Sequence, residues 1–128
     1  MNSVILSATD GCRECKAMPG SDYWEKSFIT GSARLYVLSV LSGGPRHGYG
    51  ILKEIRDRSG DCCTIAAGTI YPILRELERD GYITSSKGTV GGRARVTYAI
   101  TDEGRELFES GLAKWETHVA GAKKILGV

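Results

Sequence analysis

Apolar positions recur at helical spacing in three stretches before residue 81 and in one long stretch after residue 100. In residues 23–42, Leu35, Leu38 and Leu41 with Val37 and Val40 form one face of a predicted helix, which Gly31 is expected to divide into two pieces. Ser42-Gly43-Gly44-Pro45 ends it, because glycine accepts the left-handed cap and proline cannot continue the helix. Ile51, Leu52 and Ile55 predict a second helix over residues 48–59, closed by Gly60. Ile70, Ile73, Leu74 and Leu77, at i, i+3, i+4 and i+7, predict a third over residues 68–80, closed by Gly81, with Pro72 in its first turn. The period then switches to two. Residues 82–86 and 94–100 read as strands, with Val96, Tyr98 and Ile100 on one face, and residues 87–93, with three glycines, as a flexible hairpin tip. Residues 1–22 have no helical period and read as an arm with a short strand at residues 3–7, punctuated by Asp10-Gly11 and Pro19-Gly20.

Thr101 is placed to cap a final helix, with Asp102 and Glu103 near its positive end. Phe108, Leu112, Trp115, Val119, Ala122 and Leu126 follow at alternating spacings of four and three, a heptad seam. Such a seam on a terminal helix exceeds what a small core can cover, so the expected partner is a second copy of the chain, a homodimer. The fold class is therefore mainly α with a small β-hairpin wing. The organisation is an arm (1–22), a winged helix-turn-helix (23–100) and a C-terminal dimerisation helix (101–128).

The 128 residues suit one domain, and net charge +2 does not mark the whole chain as a polycation. Divided by segment, the charge is uneven. Residues 1–45 and 46–80 are each neutral and residues 101–128 carry one net negative charge, whereas residues 81–100 hold Lys87, Arg93 and Arg95 and no acid. A concentrated positive loop is a phosphate-contact candidate; its bland alternative is a solvated hairpin. No uncharged apolar run approaches a membrane span, and the first cation follows the first apolar stretch, which inverts the order of a signal peptide. A cytoplasmic location is expected.

Three helices followed by a basic hairpin have the logic of a helix-turn-helix with a wing. The apolar stripe of the third helix leaves Thr69, Tyr71, Pro72, Arg75, Glu76 and Arg79 off the buried face. A helix fits the major groove with its N-terminal residues at base edges. Thr69 and Tyr71 are candidate donors to phosphates or bases. Arg75 suits a bidentate guanine contact, and Lys87, Arg93 and Arg95 suit the backbone or minor groove. For Tyr71, core packing is the competing reading. Tyr49 and His47 are phosphate candidates for which capping or core packing serves equally well. Tyr98 reads as hairpin packing, and Gly68 and Gly104 as backbone requirements.

With these residues in place, the chain resembles the PadR family of transcriptional regulators. Residues 68–83, GTIYPILRELERDGYI, are similar to its recognition-helix signature. Residues 47–55, HGYGILKEI, resemble its second-helix motif, and residues 91–105, GGRARVTYAITDEGR, its wing and the entry to its last helix. The resemblance covers residues 33–126 and implies a dimeric winged-helix repressor that binds double-stranded DNA at an operator with inverted repeats. The single helix after the wing resembles the compact branch of the family. Where the family often has a polar cap, this chain has Ala66-Ala67, so Thr64 or water is the expected cap. The arm lies outside the resemblance.

Trp115 reads as interface packing or, as in multidrug-responsive regulators that the chain resembles, as a platform for a small aromatic effector, with His118 one turn on as its hydrogen-bond partner. Cys12 and Cys15 form a C-x-x-C, and Cys62 and Cys63 an adjacent pair. A zinc site, a redox switch and plain reduced thiols are all open readings; no cofactor is expected beyond such a zinc. The two histidines lack a triad arrangement, and no phosphate-binding glycine loop is present, so catalysis is not expected. Two non-regulator alternatives stand beside the main reading. One is a thiol oxidoreductase using Cys12 and Cys15; the other is an interaction module using the heptad seam without DNA.

Overall fold

The computed structural model describes residues 20–61 and 63–128. The elements run α1 (Ser21–Ser42), β1 (Arg46–His47), α2 (Gly48–Arg58), α3 (Ala67–Arg79), β2 (Ile83–Val90), β3 (Arg93–Ile100) and α4 (Asp102–Leu126). The expected mainly α fold with a small β wing is what forms. The expected arm strand at residues 3–7 lies outside the described residues.

One core joins α1, α2, α3 and the base of the wing. Ala33, Val37, Val40 and Leu41 of α1 meet Ile51 and Ile55 of α2, Ile70, Leu74 and Leu77 of α3, and Ile83 of β2. Ile65, in the link between α2 and α3, is buried with them. The stripes on α2 and α3 that period predicts are the ones buried. Gly31 does not divide α1: the helix is continuous and begins two residues before the expected start. No neighbour lies within 4 Å of a side chain built at Gly31, so nothing there forces a break.

The sheet has three antiparallel strands in the order β1-β3-β2. The strand β1 was not expected; Arg46 and His47 pair with Tyr98 and Thr97. The tip of the wing also differs from the expected flexible loop. β2 and β3 pair from Ile83↔Ile100 to Val90↔Arg93, and Gly91-Gly92 alone make the turn. Both glycines have positive φ, 58° and 78°, the requirement of a tight two-residue hairpin that only glycine meets without strain. Lys87 therefore belongs to a strand, opposite Val96.

Thr101 caps α4 as expected. Its Oγ1 accepts from the Gly104 N–H at 3.0 Å and donates to the Gly81 carbonyl at 2.8 Å. Gly104 is a true backbone requirement, since a Cβ there would lie 2.1 Å from the Tyr82 carbonyl oxygen. Gly68 is not, for nothing lies within 4 Å of its Cβ position.

Candidate nucleic-acid interface

Burial of Ile70, Ile73, Leu74 and Leu77 fixes the rotation of α3, and with it the opposite face. Tyr71, Pro72, Arg75 and Arg79 are exposed on that face. Pro72 sits in the second turn and not the first, because the helix begins at Ala67. Its ring nitrogen leaves the Gly68 carbonyl without the usual amide donor four residues on. No side chain caps the start of α3, so Thr64 does not perform the expected role. The Thr69 and Ile70 amides donate to the Ala66 carbonyl at 2.9 and 3.1 Å, so the backbone closes the first turn.

Two expected members of the face point elsewhere. Thr69 is half-buried and lines a pocket of about 250 Å³ with Lys26, Thr30 and Thr64, on the α1 side. Glu76, also on the α1 side, is held by Arg34: Nε and Nη2 of the guanidinium both reach its carboxylate, Nη2 at 2.9 Å. The hydrogen bond from Arg34 holds the Glu76 carboxyl below its ordinary value and raises the guanidinium of Arg34. This pair fixes α3 to α1 and was not foreseen; a long-range ion pair leaves no local spacing signal.

Tyr71 crosses onto the start of α2. A Cβ on Gly48 would lie 2.7 Å from the Tyr71 hydroxyl, so Gly48 is glycine because the ring passes there. Tyr71 thus both packs and stays partly exposed, which joins the two competing readings of it. Beyond it, Tyr98 of β3 is half-buried, and its hydroxyl is shifted up, first by desolvation and then by Tyr71 and Glu78, against Arg75. Tyr98 packs on the core with Ile100 as the strand alternation predicts, while Val96 on the same face is exposed. Ser85 of β2 donates to the Glu78 carboxylate, fastening the wing base to α3.

His47, Tyr49, Tyr71, Arg95 and Tyr98 line one groove of about 340 Å³ between α2, α3 and the wing. Nη1 of Arg95 lies 3.1 Å from Nε2 of His47. Tyr49 is exposed, as are Lys87 and Arg93 on the strands. Arg79 is exposed with its Nε 3.2 Å from Asp80. The structure thus gathers Tyr49, Tyr71 and Arg95 along one groove, with Pro72 and Arg75 exposed on the same helix as Tyr71, and leaves Thr69 apart; on the hairpin, Lys87 shares a face with Val96, opposite the face of Arg93 and Arg95.

A second groove, about 790 Å³, runs between α1 and α4. Phe28 and Leu35 line one wall; Leu107, Trp115 and His118 line the other. Trp115 and His118 therefore do meet in one cavity. Along the seam, Phe108 packs against the core, whereas Leu112, Trp115 and Leu126 are 40%, 45% and 72% exposed. Val119 and Ala122 are half-buried.

Cys12, Cys15 and Cys62 lie outside the described residues. Cys63 is half-buried at the core edge, its N–H donating to Ser59 Oγ at 2.9 Å. Among the described residues, no cluster of three His, Cys, Asp or Glu could hold a metal ion, and no helix is long and apolar enough to cross a membrane.

The model of the transcriptional regulator PadR-like family matches residues 37–110, from the middle of α1 into α4. The chain belongs to the PadR-like family. It is 35% identical over 80 residues to the transcriptional regulator Rv3488 of Mycobacterium tuberculosis, covering 62% of this chain and 72% of that one. It is 32% identical over 85 residues to the transcriptional regulator YqjI of Escherichia coli, but spans only 40% of that protein. A solved PadR family transcriptional regulator from Eggerthella lenta superposes with a TM-score of 0.73 at 30% identity, over 82% of this chain and 90% of that one. A transcriptional regulator from Clostridium thermocellum gives 0.69 at 32%, over 79% and 95%. This PadR-like chain is accordingly a winged-helix transcriptional regulator and not an enzyme.

Proposed function

We propose that the protein is a sequence-specific double-stranded DNA-binding repressor that works in the cytoplasm as a homodimer and answers to a small effector. The observation that carries DNA binding is the groove in which Tyr71 of α3 and Arg95 of the wing meet, with Arg75 exposed one turn along α3 from Tyr71. In this reading α3 enters a major groove with Tyr71 and Arg75 toward base edges, while Tyr49, Lys87, Arg93 and Arg95 meet phosphates or the adjoining minor groove. Two copies joined through α4 hold two such helices about one helical turn of DNA apart, which suits an inverted repeat. The exposure of Leu112, Trp115 and Leu126 along the seam supports the dimer. The α1/α4 groove with Trp115 supports an aromatic effector whose unequal affinity for two dimer geometries would change the helix spacing.

Fluorescence anisotropy with the protein's own upstream DNA against a scrambled duplex, over a salt series, tests this. Tighter binding to its own DNA with a steep salt slope is the expected result. Weak, salt-independent binding to both duplexes would overturn it and favour an interaction module that uses the α4 seam alone.

A further inference from the structure

The contact between His47 and Arg95 has a definite chemical sense. A guanidinium carries five N–H donors and no acceptor. At 3.1 Å from Arg95 Nη1, the Nε2 of His47 is therefore the acceptor, which requires a neutral imidazole carrying its proton on Nδ1. Gly50 leaves room for the ring, since a Cβ there would lie 3.2 Å from its Cε1, and Tyr49 stacks on it with centroids 6.5 Å apart at 23°. Strand pairing fixes the backbone as well, since His47 is opposite Thr97, two residues from Arg95 on β3. The groups facing this groove are Arg95 and Tyr98 from β3, Tyr49 from α2 and Tyr71 from α3; no carboxylate lines it among the described residues. Arg46, the chain neighbour, turns away and donates to the Pro45 carbonyl. A protonated His47 thus has no anion of its own chain at hand in the groove, and a cation beside it.

We propose that His47 is a positioning residue for Arg95 and a proton-dependent phosphate contact. Neutral, it holds the wing guanidinium through Nε2; protonated, it releases Arg95 and adds its own charge to the DNA-facing surface. The only proton moved comes from solvent to Nε2, and the compensating anion is a DNA phosphate. The inference rests on the DNA-binding reading above and deepens it by making the phosphate term of binding depend on pH.

Two measurements separate the contact from its role. The first needs no DNA. In ¹⁵N-histidine-labelled protein at pH 8, the neutral His47 ring is expected as the Nδ1–H tautomer, shifting toward Nε2–H in Arg95→Ala. An Nε2–H tautomer in the wild type overturns the contact. The second measures anisotropy of a scrambled duplex over a salt series at pH 8 and pH 5.5, for wild type and His47→Gln. Glutamine retains an acceptor oxygen but does not titrate, and His118 stays in both proteins. The log–log salt slope of the wild type is expected to steepen by about 0.9 per bound protomer at the lower pH, the signature of one more neutralised phosphate. In His47→Gln the slope is expected to be the same at both pH values. Equal steepening in the two proteins, or none in the wild type, overturns the role. Absence of duplex binding at either pH overturns the role together with the DNA-binding reading, while the tautomer still judges the contact on its own.

Discussion

Helices α3 and α4 carry apolar stripes of similar periodicity and meet different fates. On α3, Ile70 and Leu74 are completely covered by α1, α2 and the base of the wing. On α4, the same kind of stripe packs on the core only near its start, at Leu107 and Phe108; beyond them Leu112, Trp115 and Leu126 are exposed and Val119 and Ala122 half-buried. The contrast teaches what each helix is for. A stripe satisfied inside the chain fixes the rotation of its helix and frees the opposite face to read something else. A stripe that outruns the core calls for a surface from another molecule.

The largest effect that sharpens the contrast comes from Leu74→Ala. A fully buried leucine truncated to alanine is expected to lower stability by about 2–5 kcal/mol. Urea unfolding at a fixed high protein concentration measures it, and a loss below 1 kcal/mol would contradict the assigned core. Next comes Leu112→Asp, a charge on the open seam. Sedimentation equilibrium should show self-association weakened at least about thirtyfold, or ~2 kcal/mol, with α-helical circular dichroism retained. An unchanged dimer would move the interface off α4.

The free face of α3 is broken by Arg75→Ala. It is expected to narrow the preference for the protein's own upstream DNA over a scrambled duplex by about 1–3 kcal/mol. Competition binding reads this, and an unchanged ratio removes Arg75 from base readout. Arg93→Ala should behave differently. It weakens binding to both duplexes alike and flattens the log–log salt slope by about 1.

The smallest effect lies at the pair that fastens α3 to α1. Arg34 holds Glu76 and depresses its carboxyl, so the folded state binds the proton less readily than the unfolded chain. The stability this contributes is present above the ordinary glutamate value of about 4.3 and is lost as pH falls through the depressed folded value. Both side chains are partly exposed, which keeps the contribution small. Glu76→Gln should therefore lower the urea midpoint slightly at pH 7, and the difference should close in strong acid. A difference that widens there would contradict the sign.

Periodicity carried most of this architecture. Four helices, a hairpin and the buried faces of α2 and α3 follow from apolar spacing alone, because those stripes answer to local geometry. The missing pieces depend on partners distant in sequence. Two residues cannot show alternation, so β1 exists only by virtue of Tyr98 and Thr97. Nothing in the spacing marks Gly48, whose lack of a side chain makes sense only once Tyr71 is placed over it. Glu76 looks groove-facing on a helical wheel until Arg34 claims it from α1. The hairpin tip read as a loop because three glycines suggest freedom, whereas two of them serve one tight turn. At the candidate site, residue types located Arg75, Arg93, Arg95 and Tyr71. The groove that gathers Tyr71 and Arg95 with His47, and the departure of Thr69 toward α1, required the fold.

In the proposed assembly, two copies joined through the α4 seam present two α3 helices to one face of DNA. Hydroxyl-radical footprinting on the protein's own upstream region tests it most directly. Two equal protected patches are expected about one helical turn apart, around 10 base pairs centre to centre, on the same face of the duplex. A single isolated patch, or protection spread evenly along the DNA, would contradict it.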